Sequence, residues 1–245
     1  MEYFWCTART APKGVGFSLF GATHVLWLVI TIAVLVGCSM FYQRSASEGR
    51  SAFRKWVAFF LVIDELFKQV CLLATGSWLP EYLPLHLCSI NIFVICWHAF
   101  RPSHLCGNFL YTVCIPGALA ALLFPSWNEL PFLNFMHLHS FTVHILLVLY
   151  PVMLTIAGDI RPDPKTVPKC LLILLVMAVA AYLINPLLES NFFFMASAGK
   201  GNPLYWFQQN WGNHLLGFPV LVSAVILVMH GPRLLLKNRR KKLPD

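Results

Sequence analysis

The chain has 245 residues, 58% of them hydrophobic and only 11% charged, with a mean hydropathy of +0.68. That is more apolar side chain than a soluble domain of this size can hide, so a soluble globular protein is excluded. The net charge of +8 does not point to nucleic acid, because the basic residues collect at the ends of apolar segments and not along one face.

Seven apolar runs follow one another, at about 20–42, 54–76, 83–100, 106–124, 137–157, 167–188 and 213–236. A membrane-crossing helix takes roughly 20 apolar residues. The expected fold is therefore all-α: a polytopic membrane bundle of about seven transmembrane helices, six being possible, in a single integral membrane domain spanning 1–245 with a basic tail at 237–245. The first run is too long for the apolar region of a cleaved signal peptide. The eight cysteines are scattered and contain no C-x-x-C pair, so they do not form a disulfide framework.

Lys and Arg set the expected orientation. Fourteen of the eighteen lie after the first, third, fifth and seventh runs: Arg44, Arg50, Arg54 and Lys55; Arg101; Arg161, Lys165 and Lys169; and Arg233 with the tail. Arg9, Lys13 and Lys200 fall on the other side, and Lys68 lies inside the second run. The positive-inside bias puts the N-terminus outside and the C-terminus in the cytoplasm. Pro116, Pro151 and Pro219 fall inside apolar runs, and each is expected to kink its helix.

The second run reads "FLVIDELFKQVC". Asp64, Glu65 and Lys68 each cost roughly 2.5–3.5 kcal/mol at a bilayer centre, against about 0.3–0.6 returned by each Leu or Phe. They are tolerable only facing the bundle and paired: Lys68 is i+4 from Asp64 and i+3 from Glu65. One acid remains to orient a histidine or a substrate.

With this topology, several polar residues fall at one depth near the outer ends of helices: His24 in the first, His86, Cys88 and Asn91 in the third, His137 and His139 in the fifth, Asn185 and Asn191 leaving the sixth, and His214 opening the seventh. At 1.5 Å per residue, Cys88 and His139 both lie about 5–12 Å inside the outer boundary. A thiol becomes a nucleophile when a neighbouring base takes its proton. His86 leaves the helix about 200° away from Cys88, so the expected partner is His139 or His137 across the bundle. An acid of the second run would fix the imidazole, and the asparagines would bind an ester carbonyl or a head group.

The runs "LPLHLCSI" (83–90), "YTVCIPGALAALLFP" (111–125), "FMHLHSFTV" (135–143) and "LINPLLESN" (183–191), in this order, resemble the YwaF-like family of bacterial integral membrane proteins, which is related to animal transmembrane protein 164. The similarity covers roughly residues 20–235. It implies a fold of six or seven helices, and the animal relative implies a cysteine-dependent acyltransferase acting on phospholipids. By the same resemblance His86 and His139 match family histidines, while the relative's cysteine aligns with Leu85, three residues before Cys88.

The expected function is a membrane-embedded acyltransferase, transacylase or lipid ester hydrolase. It would use Cys88 with His139 and His86 near the outer face, with Asn91, His137, His24, Asn185, Asn191 and His214 at the substrate and Asp64, Glu65 and Lys68 as a charge network. No cofactor or metal is expected; the partners are a phospholipid or lysophospholipid substrate and the bilayer. Two alternatives stay open: a transporter or lipid-binding membrane protein without covalent chemistry, and a haem-binding protein using His137 and His144, which are spaced i, i+7.

Overall fold

In the computed structural model of the chain, residues 3–199 and 202–240 are described, with side chains through 232. Lys200 and the tail residues Lys241 and Lys242 lie outside the described residues, as do the side chains of Arg233, Lys237, Arg239 and Arg240. The described residues are helical and contain no strand. The helices are α1 (Ala22–Arg44), α2 (Ser47–Ala74), α3 (Leu87–Phe100), α4 (His104–Phe109), α5 (Ile115–Leu123), α6 (Phe135–Ile156), α7 (Val167–Leu188), α8 (Pro203–Trp211) and α9 (Gly217–Arg240). A π-helical turn, Leu110–Cys114, joins α4 to α5, so His104–Leu123 forms one span-length rod.

Six segments among the described residues are long and apolar enough to cross a membrane. The seventh expected span is α2. At 28 residues it is the longest helix among the described residues, and it is set apart from the other six by its charge: Asp64, Glu65 and Lys68 all fall inside its apolar stretch. α6 is the hub, packing against α1, α2, α3 and α5. Two thirds (67%) of its span is buried, against 11% for each of the α7 and α9 spans, so α7 and α9 present their leucines and valines outward, as a lipid-facing layer must.

α1 and α2 form a hairpin across Ser45 and Ala46. The carbonyls left open at the end of α1 are taken by Arg50 of α2, which donates to the backbone oxygens of Tyr42, Gln43 and Ser45. The loops 101–103 and 157–166 meet this hairpin at the same end. Arg50 reaches Asp159, and Asn108 donates to the backbone oxygen of Arg161. Three loops expected to share one side of the membrane are thus together in space.

The prolines behave unequally. Pro116 follows the π-helical turn directly. Pro151 lies within α6 and cannot donate to Leu147 one turn back; the Cys114 thiol donates to that carbonyl instead, at 3.4 Å. Pro219, expected to kink the last span, sits in the first turn of α9, where no intrahelical N–H bond is required. The expectation of a kink there is corrected accordingly.

The run at 83–100 also differs from expectation. It does not begin as a helix: Pro80–Tyr82 forms a 3₁₀ turn, Leu83 and His86 are extended, and α3 starts only at Leu87. Pro84 forces the extended backbone of Leu83. α8 was not anticipated, although Asn202 as cap, Pro203 as first residue and the left-handed Gly212 at its end are the ordinary signals of a short helix.

Asn134 locks the N-terminal segment onto the bundle. Its Oδ1 caps α6 by accepting from the N–H groups of Met136 and His137, and its Nδ2 donates to the carbonyls of Tyr3, Phe4 and Cys6. Nearby, Phe17 N–H donates to Asn128 O, and a Cβ on Gly16 would lie 2.1 Å from that oxygen. The segment therefore pins the 125–134 loop. Asn134→Ala removes a helix cap worth about 1 kcal/mol and unpairs buried carbonyls at about 1–3 kcal/mol. Thermal unfolding of the purified protein should show a loss of about 2–4 kcal/mol; an unchanged transition would refute the lock.

Candidate functional site

Cys88 lies in the first turn of α3 and His144 in the third turn of α6. Their side chains meet, with Sγ 3.1 Å from Nε2. The other ring nitrogen, Nδ1, lies 2.6 Å from the backbone oxygen of Ser140, one turn back on α6. A carbonyl only accepts, so Nδ1 carries the hydrogen and Nε2 is left as the acceptor facing the thiol. The indole of Trp127 stacks on the His144 ring, with centroids 5.1 Å apart and planes 19° from parallel. His144 is buried, Cys88 half-buried. Two polar atoms around this pair have no partner among the described residues: the Nε1 of Trp127, and the Oδ1 of Asn91, one turn along α3 from Cys88.

A second cluster joins α2 to α6. Lys68 Nζ lies 2.6 Å from Glu65 Oε1. His139 has Nδ1 3.2 Å from Asp64 and Nε2 3.8 Å from Glu65. The His139–Asp64 contact is within ion-pair distance but is not aligned as a hydrogen bond. Gln69 donates to Glu65 and to the Tyr82 carbonyl and accepts from Trp78 Nε1, extending the cluster to the loop before α3. Two carboxylates are thus met by one ammonium, one imidazole and an amide.

The expected constellation is therefore divided. The acids lie beside His139, but Cys88 pairs with His144 and not with His139. The depth estimate assumed helix from 83 onward. The stretch from Leu83 to His86 is not helical and turns at Pro84–Leu85, where Leu85 N–H donates to Leu83 O, so a helical rise does not give the position of Cys88, which meets the third turn of α6.

The other predicted residues have structural partners. His86 stands at the N-cap position of α3 without a capping side-chain bond, and its ring packs edge-on against Phe192. His137 accepts from Trp27 Nε1 at 2.8 Å inside a box of Phe17, Phe132 and Phe141. His24 accepts from Phe20 N–H, and its other nitrogen donates to Leu122 O. Asn185 closes the turn after α7 through Phe192 and Ser190, and Asn191 holds Ala196 and Ser197. His214 bonds Phe194 O. The two histidines of the haem alternative each have Nε2 engaged, one by Trp27 and the other by Cys88. No group of three or more metal-ligating side chains is found among the described residues.

A family model matches residues 19–230, and that family is TMEM164. The chain belongs to the TMEM164 family. No curated protein and no solved structure gives a match. Membership makes it an integral membrane protein of several apolar helices, in keeping with the six spans, and it places Cys88, His144 and the α2–α6 cluster inside the shared region.

The pairing of Lys68 with Glu65 is nearly dry, with side chains 8% and 9% exposed. Removing one partner of such a pair costs about 3–5 kcal/mol, whereas removing both charges is close to neutral. Lys68→Met should lower the unfolding transition markedly, and Glu65→Gln/Lys68→Met should recover most of the loss. If the single variant melts like the wild type, the pair does not hold α2 in place.

Proposed function

We propose that this TMEM164-family protein is a membrane-embedded transacylase that moves an acyl chain between phospholipids through a thioester on Cys88. The reading rests on one observation: a cysteine whose thiol faces the acceptor nitrogen of a histidine at 3.1 Å, that histidine being fixed in one tautomer by a backbone carbonyl. This is the nucleophile–base–orienter arrangement of acyl-transfer enzymes, with Ser140 O in the place usually held by a carboxylate.

Each step of this reading uses the Cys88–His144 pair. His144 Nε2 takes the Cys88 proton as sulfur attacks the ester carbonyl carbon. The carbon–oxygen bond of the ester breaks, and His144 returns the proton to the departing lysophospholipid oxygen. The acyl chain is left as a thioester. A second lysophospholipid hydroxyl, or water, then gives its proton to His144 and attacks the thioester, releasing the product and restoring the thiol. Cys88 sits where the first-turn N–H groups of α3 place partial positive charge beside the sulfur. The unpartnered Trp127 N–H is a donor available to the carbonyl oxygen as it gains charge. In this reading His139 and its acids hold α2 against α6 and do not touch the reacting atoms.

The orientation belongs to the same proposal. The loops carrying Arg50, Arg54, Arg101 and Arg161 gather at one end of the bundle, and assigning that end to the cytoplasm puts Cys88 toward the outer leaflet. The buried charges of α2 also favour a second reading, transport without covalent chemistry.

The deciding experiment incubates the purified full-length protein in mixed micelles with a phospholipid carrying an isotopically labelled acyl chain, and reads the intact mass and the transfer rate. The wild type should gain one acyl mass, lost on hydroxylamine treatment, and Cys88→Ser should gain none. His144→Ala should slow transfer by about 10²–10⁴-fold, and His139→Ala by much less. Transfer at the wild-type rate in Cys88→Ser would sink the enzyme reading. Loss of function in Asp64→Asn alongside a fully active Cys88→Ser would instead favour transport.

A further inference from the structure

The end of the bundle where the three basic loops meet contains a polar cavity of about 250 Å³, lined by His98, Ser103, His104, Asp159 and Arg161 among others. It lies away from the dyad. Cys88 and His98 are ten residues apart on α3, about 15 Å along its axis.

Much of the acceptor capacity in the walls of this cavity is already engaged. Asp159, the carboxylate in its wall, is already engaged. Tyr42 O–H donates to one oxygen at 2.6 Å, Arg50 reaches the other at 3.4 Å, and Arg54 stands 3.6 Å away. Asn108 is also spent: its Nδ2 donates to His104 O and Arg161 O, and its Oδ1 accepts from Asp163 N–H. Asp163 itself is turned to the Lys165 N–H.

His98 is different. It is only 3% exposed, and its Nδ1 lies 3.0 Å from the Tyr150 hydroxyl. Tyr150 is fully buried and has no other acceptor for its hydrogen among the described residues, so it donates to Nδ1. The hydrogen of His98 is therefore on Nε2. That nitrogen has no partner among the described residues and lies beside Gly107, where a Cβ would come within 3.3 Å of it. At the mouth, the exposed Arg161 and His104 side chains have no ion-pair partner among the described residues.

We propose that this cavity is a binding site for a phosphate-bearing anion. His98 Nε2–H donates from the floor, Arg161 supplies the charge at the mouth, and Ser103 and His104 complete the rim. The missing Cβ of Gly107 makes room for His98 Nε2 and the Ile160 side chain against the backbone of α4. The volume is below that of sites for drug-sized ligands, which suits a phosphate group with a small substituent. Such a group comes from a lipid head group at the membrane surface or from free phosphate. The site is independent of the chemistry proposed at Cys88.

The test measures binding of dihexanoyl phosphatidic acid and of inorganic phosphate to the full-length protein in neutral detergent by native mass spectrometry. Arg161→Gln and His104→Gln alter exposed side chains, and Lys55→Gln serves as a control, a lysine of the same end that lies over Phe100 and outside the cavity. The wild type should bind, Arg161→Gln should weaken binding about ten-fold or more, His104→Gln should weaken it less, and Lys55→Gln should leave it unchanged. Binding of phosphatidic acid alone assigns the site to a head group. Binding of both probes, in competition, assigns it to the phosphate group itself. No binding of either probe, wild-type affinity in Arg161→Gln, or an equal loss in Lys55→Gln would overturn the proposal.

Discussion

A helix carrying Asp64, Glu65, Lys68 and Gln69 stays among apolar helices only if its neighbours answer its polar groups, and the rest of the bundle is arranged around that demand. The answer comes from α6 through His139, from α2 itself through Lys68 and Gln69, and from the approach to α3 through Trp78 and Tyr82 O. Because Gln69 binds Tyr82 O, the same network anchors the non-helical segment that leads into α3. That segment sets the depth at which Cys88 enters the bundle. A charge network with no direct contact to the thiol thus decides which histidine the thiol meets.

The proline in α6 shows the same constraint at smaller scale. Pro151 frees the Leu147 carbonyl in a place water cannot reach, and a thiol on the neighbouring π-helical turn supplies the hydrogen bond. The eight cysteines are all free, but their surroundings differ. Cys114 serves a backbone carbonyl, whereas Cys88 faces an imidazole nitrogen with an available lone pair. Thiol content alone does not separate these roles; the partner atom does.

Much of the fold was legible because a run of apolar residues long enough to span a bilayer has few alternatives to a helix. All seven runs fall on helices, most within two or three residues of their ends, and the i, i+3 pairing of Glu65 with Lys68 follows from helical spacing alone. The site was legible only in part. Cys88 and the acids were visible as costly residues in a greasy context, and His139 was, with His137, one of two histidines expected to meet an acid. His144 was not singled out for the thiol, because depth was counted at one helical rise per residue through a stretch that is not helical. Pro84 carried the warning: it disfavours helix at the residue before it, so a helical rise could not be counted from Leu83 to Leu87. Trp127 was hidden for another reason. Its place over His144 depends on a loop held by Gly16 and Phe17, more than a hundred residues away in sequence.

The extended approach to α3 also bears on the position of the cysteine. Leu85 lies in non-helical backbone before the helix and packs with Phe192 and its neighbours, whereas Cys88 lies inside the first turn of α3. A thiol at 85 would leave from a different backbone geometry and would lack the first-turn N–H groups beside the sulfur. At 88 it faces His144, whose tautomer is set by Ser140 O whatever residue stands at 85. The resemblance aligns the animal protein's cysteine with Leu85, which carries no thiol in this chain. The geometry of this chain supports 88, because that is the position from which a sulfur reaches a histidine with an unprotonated nitrogen.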